Sequence, residues 1–267
     1  LGVSLTNALS ERMEVEVARE QQLYRMAFER GKPKGKLEKA GRAPNRGGTK
    51  VRFKPDPEIF GPKAAFKAER VFKMTRSKAY LFGGVEIRWH CDKALLKGVE
   101  DVPEKATFHF ADGLKDYLAS NLTGATLVHP DIFTGSTGKT GRHGAVECAV
   151  AWTADTDGFL NSYCNTIPTP DGGTHESGLR SALLRGLKDH ASRVGQEKRV
   201  TPVTSDDVMT GAGCMLSVFV REPEFQGQTK DRLATAEAQR IVEQAIKDPF
   251  DHWLAANPMQ ANKLLDF

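Results

Sequence analysis

The 267-residue chain is short of several things, and each shortage removes a class of function. It has four cysteines, Cys91, Cys148, Cys164 and Cys214, and none forms a C-x-x-C pair. That removes the zinc-ribbon and dithiol motifs. Three of the four sit in apolar, strand-like runs, so buried free thiols are the expectation, with metal or disulfide the minority reading. No apolar run approaches the ~18–20 residues needed to span a bilayer. No secretory signal is visible and no methionine stands first; Leu1-Gly2-Val3-Ser4 reads as mid-domain, and Asn262–Phe267 as mid-helix, so both ends look cut. There is no internal repeat and no low-complexity tract.

What is present suits a folded protein of two domains. Hydrophobic residues make up 39%, enough for a packed core and too many for a chain disordered throughout. Net charge is +4, compatible with a polyanion partner without proving one. The charge is uneven: from Arg30 to Lys54 the chain carries ten Lys or Arg against a single Glu38. A solvated basic loop is the plainer reading of that stretch.

Periodicity gives a coarse map. Val3–Leu9 has helical spacing. Met13–Arg19 alternates and predicts a strand, followed after a polar turn by another over Gln22–Arg30. Gly31–Gly48 is expected to be a loop, Lys50–Phe53 a strand stopped by Pro55 and Pro57, and Lys63–Ala79 a helix. Gly83-Gly84 marks a turn before a strand over Val85–Trp89, an order that suggests an α+β layer with helices on one face of the sheet. The polar stretch Asp92–Lys105 is the candidate linker. Beyond it, Thr107–Phe110 reads as a strand and Gly113–Ser120 as a helix. Val146–Thr153 and Leu160–Thr166 look like a hairpin joined by Ala154–Gly158. Amphipathic helices are predicted over His175–Val194 and Thr235–Ala256, with a helix start at Ser205-Asp206-Asp207 and a buried strand over Cys214–Val220.

Candidate sites are few. Gly135-Ser136-Thr137-Gly138-Lys139-Thr140 has P-loop flavour, but Phe133 stands where the motif needs glycine and no helix is expected to follow. It reads as a flexible hairpin loop. Asp171-Gly172-Gly173-Thr174-His175-Glu176 reads as a turn with a helix cap from Thr174 or Asp171; His175 and Asp171 have no nucleophile at a useful spacing. Arg180, Arg185, Lys188 and Arg193 on one helix are either solvated charge or a lining that touches duplex phosphates. Gly48-Thr49-Lys50-Val51-Arg52-Phe53 is a strand entry, or a place where Thr49 offers a hydroxyl to a small molecule. Gln226-Gly227-Gln228-Thr229-Lys230 ends in a lysine on a tight loop, a suitable point charge for a phosphate. The alternative is an exposed lysine at a helix start, where the dipole disfavours it and an anion would help.

Taken together, Gly2–Ser10, Gly48–Phe53, Asn165–Pro168, Gly172–His175 and Gln226–Lys230 resemble the B subunits of bacterial type II topoisomerases, DNA gyrase and topoisomerase IV, and the latter more closely. Leu1 departs from the valine usual before that first glycine. The resemblance covers essentially the whole chain and implies an α+β protein. Residues 1–104 would be the rear of a GHKL-type ATPase sandwich. Residues 105–267 would be a transducer domain of ribosomal-protein-like βαβ fold, ending in the helix that leads to a cleavage domain. It implies ATP-driven dimer closure coupled to strand passage of duplex DNA. Lys230 would contact the γ-phosphate and Gln228 support it. Gly2 and Val3 would belong to the phosphate lid, and Thr49 would lie near the adenine. Arg180 and Arg185 would face DNA. The base and the Mg²⁺ ligands would lie upstream of Leu1, so the fragment alone is expected to be inactive. Expected partners are duplex DNA, the A subunit and a second copy of the B subunit in an A2B2 assembly, in the cytoplasm. Another GHKL ATPase, or a non-enzymatic basic nucleic-acid module, are the alternatives.

Overall fold

The computed structural model describes residues 2–227 and 229–267. By contacts the chain divides into two compact units, 1–67 and 68–267.

The first unit opens with α1 (Gly2–Ala8) and runs into β1 (Ser10–Arg19), β2 (Gln22–Glu29), β3 (Lys32–Pro33), β4 (Glu38–Arg42), β5 (Gly48–Pro55) and the short α2 (Pro57–Phe60). The sheet order is β3-β2-β1-β5, with β4 also on β2. The alternation of Met13, Val15 and Val17 sets the register, pairing them with Phe53, Val51 and Thr49 on β5. Two-residue turns close β1–β2 and β2–β3. Glu20-Gln21 and Arg30-Gly31 all take positive φ, the geometry whose twist suits a tight hairpin. The expected loop Gly31–Gly48 is therefore partly strand, because its ends find open backbone on β2. Arg30 is drawn out of the basic run by buried Asp56 (Nε–Oδ2 2.7 Å), whose other oxygen accepts the Glu58 N–H and caps α2.

The second unit begins with α3 (Ala68–Leu81) and the antiparallel pair β6 (Glu86–His90) and β7 (Lys105–His109). Asp92–Lys105, read as a linker, instead closes this hairpin, with a 3₁₀ turn at Lys93–Leu96. Then come α4 (Leu114–Asn121), β8 (Phe133–Thr137), β9 (Val146–Trp152), β10 (Phe159–Cys164) and β11 (Ile167–Pro168). The long α5 (Thr174–Arg193) leads through α6 (Glu197–Val200) and α7 (Ser205–Met209) to β12 (Ala212–Val218). The chain finishes with β13 (Phe225–Gln226), β14 (Arg232–Leu233), α8 (Ala236–Ala256) and α9 (Pro258–Asp266).

The main sheet has the order β11-β10-β12-β9-β8. This corrects the expected β9–β10 hairpin. β12 lies between them, parallel to β10 and antiparallel to β9. The reason is burial: every residue of β12 is buried, so it takes the centre, where both faces are covered. β10, α5 and β12 make a βαβ crossover. Cys214, Leu216 and Val218 face α5 and α8, while Met215, Ala149 and Tyr163 join Leu114 and Leu118 of α4 on the opposite side. Gly178 and Gly186 let α5 close on α8; a Cβ at 186 would sit 2.5 Å from the Phe250 ring. All four cysteines are buried thiols.

Candidate functional site

β13 and β14 form a small antiparallel hairpin, pairing Phe225 with Leu233 and Gln226 with Arg232. Lys230 sits in its tip, exposed, with φ +63°. A helix-start position is thereby corrected: β14 follows the lysine, and α8 begins only at Ala236. A left-handed lysine costs on the order of 1 kcal/mol and persists only where its surroundings impose it. Among the described residues it takes part in no ion pair. Gln228, expected to assist it, lies outside the described residues.

What imposes the geometry is the turn between β11 and α5. Asp171 donates its N–H to the Asp231 carbonyl at 2.9 Å, and Leu233 donates to the Gly172 carbonyl at 3.0 Å. The Arg232 guanidinium donates to the Asp171 carbonyl at 3.0 Å. Gly173 bridges Leu233 backbone to backbone. The expected cap by Thr174 or Asp171 is corrected: Gly173 is the N-cap residue, with no side-chain cap, and the Thr174 hydroxyl donates to the Thr235 carbonyl at 2.7 Å. The turn serves the hairpin rather than the helix end.

Beneath this clamp lies a buried polar chain. Ser162 Oγ is 2.6 Å from Glu176 Oε1 and 2.6 Å from Thr169 Oγ1, which is 3.0 Å from His175 Nε2. An ionised Glu176 only accepts, so Ser162 donates to it, Thr169 donates to Ser162, and His175 donates from Nε2. His175 Nδ1 is then the bare nitrogen, and it has no partner among the described residues. Burial pushes His175 down to about 4, so it is neutral near pH 7. Burial also raises Glu176, against the Ser162 hydrogen bond. The Ser162 and Thr169 hydroxyls and the His175 ring are all buried. This polar chain rigidifies the turn.

The other predicted residues fall elsewhere. Arg180, half-buried on α5, pairs with Asp206 at 3.2 Å. Arg185, five residues on and exposed, lines the α5–α8 groove with Arg193, Arg240 and Lys247; Asp189, Glu243, Asp248 and Asp251 line it too. Four bases against four acids give that groove no net charge. Gly2 and Val3 are exposed at the start of α1. Thr49 is exposed on β5, paired with Val17, seven residues along β1 from Ser10 and so roughly 23 Å from the α1 end of the strand. Of the Gly135–Thr140 string, Gly135 to Thr137 are strand rather than loop, and the next element is β9, which excludes a P-loop. Among the described residues no three His, Cys, Asp or Glu side chains come together as a metal site. Among them, too, no helix is long and apolar enough to cross a membrane.

Arg232, which anchors the clamp, was not singled out in the sequence. The Gly172-Gly173 doublet is the signal that could have found it, since paired glycines mark a place where another backbone comes close.

Comparison with known proteins gives one consistent picture. The family profile described as DNA gyrase B matches residues 113–267. The B subunit of DNA topoisomerase 4 from Bartonella bacilliformis is 57% identical over 267 residues, covering 100% of this chain and 38% of the relative. Its counterpart from Caulobacter vibrioides is 51% identical over 271 residues, again covering 100% and 38%. The chain thus spans 38% of the length of these relatives. Among solved structures, the 43K ATPase domain of Thermus thermophilus gyrase B in complex with an aminocoumarin superposes with TM-score 0.84 at 32% identity, covering 99% of this chain and 69% of that one.

Proposed function

This chain belongs to the DNA gyrase B family, and on that premise we propose that it is part of the B subunit of an ATP-dependent type II topoisomerase. In this reading residues 1–104 supply the rear of the ATPase domain and 105–267 the transducer, with β6 and β7 pairing across the division. Gly2, Val3 and Thr49 would line the nucleotide site, and Lys230, supported by Gln228, would bond the γ-phosphate of ATP. Duplex DNA is the second substrate, met through Arg180 and Arg185. The A subunit and a second copy of the B subunit complete an A2B2 assembly in the cytoplasm. Mg²⁺, held by residues outside this chain, would neutralise phosphate charge.

The observation that supports this reading best is the presentation of Lys230: an exposed cation, in a backbone conformation lysine rarely takes, at the tip of an anchored hairpin. Such a cation can bridge to a triphosphate and has nothing to hold once the γ-phosphate leaves. It therefore distinguishes ATP from ADP and biases a two-state closure by its differential contact. A purely nucleic-acid-binding module would bind duplex with a steep salt dependence and gain nothing from ATP.

The test is steady-state ATP hydrolysis by this chain and by the full-length protein, each with and without duplex DNA. The expected result is no turnover by the chain alone and DNA-stimulated turnover by the full-length protein, with ATP-dependent strand passage once the A subunit is added. Robust turnover by the chain alone would put a catalytic base within it and overturn the placement of the active site.

A further inference from the structure

The segment Asp171–His175 takes no part in the steps above, and its histidine is buried. Its backbone does something else. Three hydrogen bonds tie the Lys230 hairpin to this turn through residues 231–233, directly after the lysine, and their partners are Asp171 and Gly172. We propose that this turn is the positioning element for Lys230, so that Gly173 and Arg232 act on ATP turnover only through where they hold that lysine. The inference rests on the reading of Lys230 as the γ-phosphate contact.

Three observations carry it. A Cβ on Gly173 would lie 2.2 Å from the Leu233 carbonyl oxygen and 2.7 Å from its nitrogen, so only glycine allows the two backbones to meet. Lys230 holds φ +63°, and the residue after it is the first one clamped. The turn is itself fixed from below: a Cβ on Gly172 would lie 2.4 Å from the Glu176 carboxylate, which anchors the Ser162–Thr169–His175 chain. The lysine is thus tied through backbone to a buried network, not left on a loose loop. A charge placed to meet a developing transition state loses its effect when displaced by about 1 Å.

The experiment is ATP hydrolysis by the full-length protein carrying Gly173→Ala, Arg232→Ala, Lys230→Ala, and each of the first two combined with the third. Gly173→Ala is expected to lower kcat about fivefold or more and Arg232→Ala about two- to threefold, with KM little changed. Each double variant should be no slower than Lys230→Ala alone, because a residue acting through the lysine has nothing left to act on. Amide exchange supplies a readout apart from activity: in Gly173→Ala the Asp171 and Leu233 amides exchange faster while those of β12 stay protected. If β12 also loses protection, the decision passes to exposed Arg232, whose loss leaves the core untouched. Fully additive doubles, or wild-type kcat in Arg232→Ala and Gly173→Ala beside a slow Lys230→Ala, would overturn the inference and leave the role of Lys230 standing. Wild-type turnover in Lys230→Ala would overturn both.

Discussion

Glu147 on β9 accepts the Leu114 N–H at 2.8 Å and so caps α4 from a strand 33 residues further along the chain. Gly113, the residue at the helix start, has no side chain to do this, and a Cβ there would lie 2.5 Å from the Glu147 carboxylate. Helix start and capping carboxylate are fitted to each other across the sheet.

Glu147→Ala should therefore destabilise the chain by about 1 kcal/mol, the usual loss for a missing cap. Burial raises this carboxyl above its ordinary 4.5. The folded state then binds the proton more tightly than the unfolded one, so its contribution is full at low pH and lost as pH rises through the raised value. Glu147→Gln should flatten that decline in a series of melting curves from pH 4 to 8. A parallel decline in variant and wild type would refute the assignment.

His175 works in the opposite direction. Held at about 4 in the fold against 6.5 unfolded, it costs stability as pH falls between those values. Relative to His175→Gln, the wild type should lose roughly 3 kcal/mol over that window, read as a shift in urea midpoint. A difference that does not vary with pH would mean the ring is not titrating as a buried base.

Lys230→Ala in the full-length protein should cut ATP turnover roughly tenfold or more while the fold stays intact, the loss expected on removing one preorganised charge contact. A near-wild-type rate would end the γ-phosphate role.

Arg180→Ala should weaken the stimulation of ATP turnover by duplex DNA and leave DNA-free turnover much less affected. Its ion pair with Asp206 is exposed on the Asp206 side and contributes about 0–1 kcal/mol, too little to unfold the chain. Equal loss with and without DNA would assign Arg180 to structure alone.

Much of the fold was legible from local pattern. α5 and α8 announce themselves by leucine and alanine spacing, and β12 by an unbroken apolar run. What could not be read was strand partnership. β9 and β10 are both apolar and close in sequence, so a hairpin looked natural, but nothing local says that a strand some 50 residues on will separate them. β3 and β4 were hidden in a basic, glycine-containing stretch because they owe their strand state to β2 rather than to propensity. The Glu20-Gln21 turn lacks the glycine or asparagine that usually marks positive φ. In the candidate site, the loop position of Lys230 was legible from its surrounding string. Its anchorage was not, because the residues that hold it lie about sixty positions earlier.

The central place of β12 has a consequence for how the chain folds. β9 and β10 meet only through it, and both partnerships span long separations, so the sheet cannot close by local zipping. A ribosome must deliver residue 218 before the middle of the second unit exists; until then β9 and β10 each offer an unpaired edge. Refolding should be correspondingly slow, limited by that late insertion rather than by the quickly forming helices.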